Sequence, residues 1–294
     1  MNRAVPQAMP LDQPLNQQLS ASDHSRASAG MRYVYPVISR RAGGVSLGIN
    51  LNPNNACNWR CIYCQVPDLK RGIAPPTDLA LLESELREML RDLLHGEFMA
   101  RRVPEDARRF EDIAFSGNGE PTSSPDFLEA VALVVRLMDE FELRNQIALR
   151  LITNGSQIDK PLVQQGLDLL NQAGGEVWFK LDAGSREGIL RINGVDLDPA
   201  GIVRRLREAG RHCTTWVQTC CFACDGFAPN DEEIASWLAL LEQSRENLAG
   251  VHLYGLARPS LQMEASRLAR LPLDWLEMLA ERVRQTGLKV RISP

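Results

Sequence analysis

The sequence has no uninterrupted apolar run near the ~20 residues that a helix needs to cross a bilayer. The best candidate, Val131 to Met138, is broken by Arg136, so a helical membrane span is excluded. It also has no large excess of charge of one sign. Lys plus Arg number 33 against 37 Asp plus Glu, a net charge of −4, which argues against a DNA-coating or histone-like role, because such binding needs a basic field. The first stretch, to about Met31, has neither a basic n-region nor an apolar h-region, so no signal peptide is indicated and the expected location is cytoplasmic. Seven cysteines, an odd number in 294 residues, do not read as a disulfide framework; metal ligands or reactive thiols are the better reading. What is present, 44% apolar and 24% charged residues, is enough for one sizeable core.

Residues 1–31 are rich in Gln, Ser, Ala and Pro with few large apolar side chains, which predicts a flexible N-terminal tail. Residues 32–294 are expected to form a single domain. From Val45 the chain alternates β-type and helical runs, the grammar of an α/β fold. Six strands are expected: Val45 to Asn52, Asp112 to Ser116, Ala148 to Thr153, Glu176 to Asp182, Thr214 to Cys221, and Val251 to Leu256. Helices are expected from Asp78 to His95 with Thr77 as N-cap, after Ser124-Pro125, Pro161, Asp198-Pro199 and Asn230, and from Leu273 to Thr286. Several strands carry one greasy and one polar face. Val177, Phe179 and Leu181 oppose Trp178, Lys180 and Asp182, and Val45, Leu47, Ile49 and Leu51 oppose Ser46, Gly48, Asn50 and Asn52. Parallel strands covered on both faces are apolar throughout, and closed eight-stranded barrels fill their interior with branched apolar side chains. A recurring polar face therefore predicts a lumen for a polar ligand, in an open partial (β/α)6 barrel.

Directly after the first of these strands, Cys57, Cys61 and Cys64 form C-x3-C-x2-C within NACNWRCIYCQ. Three thiolates this close suit one soft metal centre, zinc or an iron–sulfur cluster, and no fourth Cys or His lies nearby in sequence. This loop, with Tyr63 just before its last cysteine, resembles the signature of radical S-adenosylmethionine (radical SAM) enzymes. The resemblance implies a [4Fe-4S] cluster with one iron open to chelation by SAM, and reductive cleavage of SAM to a 5′-deoxyadenosyl radical that takes hydrogen from a substrate. It also implies a partial barrel of the radical SAM core type, with Tyr63 near the adenine; an ordinary loop aromatic is the alternative.

Other segments extend the resemblance from Val45 to Ser260. Ser116-Gly117-Asn118-Gly119-Glu120-Pro121 is similar to the family's glycine-rich motif, which holds the methionine amino group, although Asn118 stands where the commonest form has glycine. Thr153-Asn154-Gly155 resembles the T-N-G element, with Asn154 on the ribose or carboxylate, or simply a turn. Lys180 and Asp182 match a position for SAM contacts and could equally form a buried ion pair. Gln218, His252, Tyr254 and Arg258, near the ends of the last two strands, are candidates for substrate contact. The segments GINLNPNNACNWRCIYCQ, FSGNGEPT, LITNGS and LYGLARPS most resemble the branch of wyosine-type tRNA-modifying enzymes and their uncharacterised bacterial relatives. That tRNA enzyme has further cluster cysteines toward its N-terminus and this sequence has none before Cys57, so its substrate does not carry over.

Cys213, Cys220, Cys221 and Cys224 cluster around the fifth strand. They are read as packing thiols, a second metal site, or, for Cys220, a hydrogen donor facing the lumen; adjacent Cys220 and Cys221 should face opposite ways. Between Met31 and Gly72, Arg32, Arg40, Arg41, Arg60, Lys70 and Arg71 stand against Asp68 alone. This basic stretch predicts a docking face for an acidic electron donor of flavodoxin or ferredoxin type, or the mouth of a phosphate-substrate site. The substrate stays open among small molecules, nucleosides and peptides. Two further readings are a glycyl-radical-type activase of a partner protein and a noncatalytic metal-binding module.

Overall fold

The structure, a computed structural model, describes residues 18–20 and 29–294. Its strands, in chain order, are β1 (Val34–Ser39), β2 (Gly44–Ile49), the two-residue pair β3 (Ala56–Cys57) and β4 (Lys70–Arg71), β5 (Phe110–Phe115), β6 (Ala148–Thr153), β7 (Glu176–Lys180), β8 (Thr215–Cys224), β9 (Gly250–Gly255), β10 (Leu268–Arg270) and β11 (Val290–Ser293). The helices are α1 (Leu79–His95), α2 (Phe98–Arg102), α3 (Phe127–Glu140), α4 (Pro161–Gln172), α5 (Arg186–Asn193), α6 (Pro199–His212), α7 (Asp231–Ser244) and α8 (Leu273–Arg284).

The main sheet runs β1-β2-β5-β6-β7-β8-β9-β11 and bends into a half-barrel with its helices outside. From β2 through β9 to β11 every neighbour is parallel, whereas β1 lies antiparallel on β2 and β10 antiparallel on β8. The period-2 alternation decides which face is which. Val45, Leu47 and Ile49 of β2, Val177 and Phe179 of β7, and Val251 and Leu253 of β9 enter the core beneath the helices. Ser46, Asp112, Arg150, Trp178, Lys180, Gln218 and Tyr254 face the lumen. The polar lumen and the open partial barrel expected from the alternation are both present.

The expected strands are the six parallel ones from β2 to β9; β1 and β11 at the sheet edges were not expected. β1 is buried along nearly its whole length and so shows no alternation, and its Pro36 suits an edge. β11 has only 4 residues. The cap of α1 is Asp78, not Thr77: Asp78 accepts from Leu81 N at 3.0 Å, while the Thr77 N–H donates to Asp126. The helix expected at Ser124-Pro125 begins at Phe127. Most of the expected tail lies outside the described residues, but Leu19 is buried in the core and its N–H donates to Arg102 O at 2.7 Å, so this part of it is packed. No described helix is long and apolar enough to cross a membrane.

Candidate functional site

The cysteine loop follows β2 and is held by segments far away in sequence. Its Arg60 and Ile62 N–H groups donate to Asn193 O and Ile192 O at the C-terminus of α5. Gly194 ends that helix at φ 64°, and a Cβ there would sit 2.7 Å from Arg60 O, so glycine allows both the left-handed cap and the close approach. From the opposite side, Ser260 Oγ donates to Ile62 O at 2.7 Å and Leu261 N to Cys64 O at 2.9 Å. Arg60 forms a two-pronged pair with Glu264 at 2.9 Å. The loop thus presents Cys57, Cys61 and Cys64, all unbridged, to one cavity of about 270 Å³. Burial pushes the Cys57 thiol up to about 12 and the Cys61 thiol up to about 11, so both keep their protons until a cation replaces them.

Gly117, Asn118, Gly119 and Glu120 lie on the wall beside these cysteines. A Cβ on Gly119 would fall 2.1 Å from Ala56 O; glycine here lets the loop after β5 press against the strand that delivers Cys57. Glu120 is buried and ties loops together. Its Oε1 accepts from Thr122 Oγ1 at 2.5 Å and Thr153 Oγ1 at 2.6 Å, and its Oε2 from Asn154 N at 2.6 Å. Asn154 in turn donates to Asn58 Oδ1 at 2.9 Å, joining the third β-α loop to the cysteine loop. Asn118 donates to Asn55 Oδ1 at 2.7 Å, while its own Oδ1 is buried with no hydrogen-bond partner among the described residues. That orphaned acceptor on the cavity wall suits a ligand ammonium group.

Tyr63 stands between Lys180 and Asp182. Its hydroxyl donates to Asp182 Oδ2 at 2.5 Å and accepts from Lys180 Nζ at 2.9 Å. No ion pair joins Lys180 to Asp182 among the described residues, so the ion-pair alternative gives way to a relay through Tyr63. Lys180 and Tyr63 reach the cavity, whereas Asp182 lies behind them. Asn193, which the sequence reading missed together with α5, donates to Cys61 Sγ at 3.3 Å and Asp182 Oδ2 at 2.8 Å. The Asn-Gly pair at its end was the available signal.

Of the substrate-contact candidates, Gln218, Tyr254 and Arg258 line the cavity and His252 does not. The His252 ring packs behind the wall between Trp178 and Trp216, with centroids 4.5 and 4.9 Å away. Burial first, then Arg291, Arg41 and Arg150, push it down to about 3. Arg40 and Arg41, read as part of a docking face or of a phosphate-substrate mouth, line the cavity, Arg40 at its exposed edge. Arg150, not singled out from the sequence, lines it too. The four later cysteines separate: Cys220 is on the cavity wall, Cys221 in the core, Cys213 bonded to Gly175 O at the foot of the barrel, and Cys224 at the far end of β8.

Among the described residues no three His, Cys, Asp or Glu side chains converge where a single ion could be shared. Cys57, Cys61 and Cys64 line one cavity, and three thiolates on one loop match a cubane, which spreads its thiolates over separate irons.

A family model described as the radical SAM superfamily matches residues 51–241. A UPF0026 protein of Helicobacter pylori is 29% identical over 160 residues, 54% of this chain and 44% of that protein. The chain spans less than half the length of the curated relatives it matches. Two solved structures share its fold. Streptococcus suis SuiB bound to S-adenosylmethionine has a TM-score of 0.51 at 13% identity, over 86% of this chain and 47% of that one. A radical SAM methyltransferase from Sphaerobacter thermophilus has a TM-score of 0.51 at 17% identity, over 85% and 66%. The family match takes in well over half of the chain and contains the cysteine loop, the glycine loop and the Lys180 strand, so the chain belongs to the radical SAM superfamily, enzymes whose cofactors are a [4Fe-4S] cluster and S-adenosylmethionine.

Proposed function

We propose that Cys57, Cys61 and Cys64 hold the cluster, and that the upper half of the cavity binds SAM against Asn118, Asn154 and the Tyr63–Lys180 pair. The observation that carries this reading is that the three cysteines and Asn118, whose buried Oδ1 has no hydrogen-bond partner among the described residues, line the same cavity. When bound, cluster and SAM together supply a one-electron cleavage that generates the radical able to take a hydrogen atom from substrate. The chain supplies position and shelter. Asn118 accepts from the methionine ammonium, Gly117 and Gly119 let the backbone come close, and Asn154 reaches the ribose or carboxylate. Glu120 keeps these loops in register. Asp182 and Lys180 fix the Tyr63 ring beside the adenine, while Trp59 and Leu256 close the wall near the cysteines and keep water out. Gln218, Tyr254 and Arg258 face the remaining space, where substrate would lie.

An acidic flavodoxin or ferredoxin would approach the outside of the cysteine loop. Lys70 and Arg71 are exposed there, whereas Arg60 is already paired with Glu264. Placement beside the wyosine-type branch rests on the four motif segments and brings no substrate with it. The test is anaerobic reconstitution followed by iron and sulfide counts and EPR of the reduced protein with and without SAM. One [4Fe-4S] signal that shifts with SAM and is lost in Cys57→Ala is expected. A cluster that ignores SAM would overturn the assignment.

A further inference from the structure

The floor of the cavity holds two arginines, one of them without an acidic partner among the described residues, that the assignment above does not use. Arg150 lies on the inward face of β6 four residues before Asn154, about 13 Å lower along the strand. Arg41 reaches the same level from the turn between β1 and β2. Their guanidinium carbons lie 4.8 and 5.0 Å from the centre of one indole, Trp178, and Arg41 is also 4.8 Å from the Tyr254 ring.

The acids that reach this floor are both engaged: Glu176 Oε2 lies 3.6 Å from Arg150 Nε and accepts from Trp178 Nε1 at 3.0 Å. Asp112 Oδ1 accepts from Ser46 Oγ and Oδ2 from Arg150 Nη1. Arg41 is in no ion pair among the described residues. Its Nη1 donates to the neutral amide oxygen of Gln218 at 2.5 Å, and Gln218 spends its own Nε2 on Trp178 O. Aromatic walls thus orient two guanidiniums and limit their hydration, Arg150 between Asp112 and Glu176 and Arg41 with no carboxylate partner among the described residues. Such forks match a planar or tetrahedral oxyanion. His252, directly behind the wall, is held neutral by burial and then by Arg291, Arg41 and Arg150.

We propose that the barrel floor is an anion subsite, in which Arg41 and Arg150 grip the carboxylate or phosphate group of the substrate. The proposal rests on the radical SAM reading of the upper cavity and narrows its substrate to an anionic molecule. The anion takes the place of Gln218 on Arg41, shares Arg150 with Asp112 and Glu176, and anchors one end of the substrate. The carbon to be attacked is thereby directed upward, toward the cysteine loop. A neutral substrate would leave Arg41 uncompensated in a confined site, which disfavours it.

The test uses reconstituted holoenzyme with SAM, titrated calorimetrically at fixed ionic strength with sodium phosphate and, separately, sodium succinate, against a sodium chloride baseline. Saturable binding of at least one anion is expected, and the two arms distinguish phosphate from carboxylate. Arg41→Gln should weaken it about tenfold or more, equivalent to about 1.4 kcal/mol, with Arg41→Lys in between. Arg150→Gln should act in the same direction; because it leaves Asp112 short of a partner, the Arg41 pair decides the matter if that variant does not fold. The proposal is overturned if neither anion saturates in a sample whose EPR signal shifts with SAM, or if Arg41→Gln binds as the wild type does. A signal that SAM leaves unmoved overturns the cofactor reading, and the substrate proposal with it.

Discussion

The side-chain amide of Asn193 donates to the sulfur of Cys61 across 3.3 Å. A donor aimed at a cluster thiolate favours the more negatively charged, reduced cluster and so raises its potential. In Asn193→Ala the midpoint should fall by roughly 40 mV, the one-electron equivalent of a hydrogen bond worth about 1 kcal/mol. An EPR-monitored redox titration reads the shift, and an unchanged midpoint would show that the contact does not reach the cluster.

Gly119 has no room for a methyl group: its Cβ would meet Ala56 O at 2.1 Å. Gly119→Ala should displace the glycine loop from the cysteine loop and purify with less than half of the wild-type iron. Gly201, inside α6, has open space around its Cβ position, so Gly201→Ala should retain full iron and gain up to about 1 kcal/mol of stability. Iron content of the two variants side by side separates a local clash from a general effect of alanine.

Glu120 accepts from two threonine hydroxyls and the Asn154 N–H while buried. Removing the carboxylate strands those donors. Glu120→Ala should lose about 3 kcal/mol or more of stability and weaken SAM binding together with it, as seen by urea unfolding and by the SAM-dependent EPR shift. Full stability with lost SAM binding would instead make Glu120 a direct ligand contact.

His252 takes up its proton only near pH 3 when folded, against 6.5 ordinarily. The unfolded chain therefore binds that proton first as acid is added. The stability contribution is complete above pH 6.5 and is lost as pH falls toward 3, with a slope of up to about 1.4 kcal/mol per pH unit. His252→Phe keeps a ring between Trp178 and Trp216 but cannot titrate. Its urea midpoint should fall less steeply between pH 6.5 and 5 than that of the wild type, and parallel curves would refute the assignment.

Reduction by a flavodoxin-type donor should slow as salt is added. Lys70→Glu with Arg71→Glu should slow it several-fold at low salt, whereas dithionite reduction stays constant. A stopped-flow rate indifferent to salt and to both reversals would remove this face from consideration.

What the sequence disclosed was whatever depends on local order. Alternation along β2, β7, β8 and β9 separated lumen from core, since a strand sends neighbouring residues to opposite faces wherever it pairs. The tight spacing of Cys57, Cys61 and Cys64 marked the candidate metal loop for the same reason. Hidden were the contacts made by long side chains between distant elements. Arg41, in a turn full of charge, looked like a surface residue because nothing near it in sequence indicates that Trp178 and Tyr254 will receive it. His252 alternated onto the polar side, but two tryptophans, 74 and 36 residues earlier, fill the space in front of it and around it. α5 escaped because its 8 residues are too few for a clear helical period, although its last residue touches Cys61.

The support of the cysteine loop has a consequence for the order of assembly. Its backbone hangs on Ile192 and Asn193 from one direction and on Ser260 and Leu261 from the other, segments separated from it by most of the barrel. In a zinc finger the ion gathers its ligands and the fold condenses around them. Here the polypeptide must be made through β9 and the segment after it before the loop gains both supports, so the loop's shape follows assembly of the half-barrel rather than preceding it, and a chain interrupted before Ser260 would leave the three thiols held from one side alone.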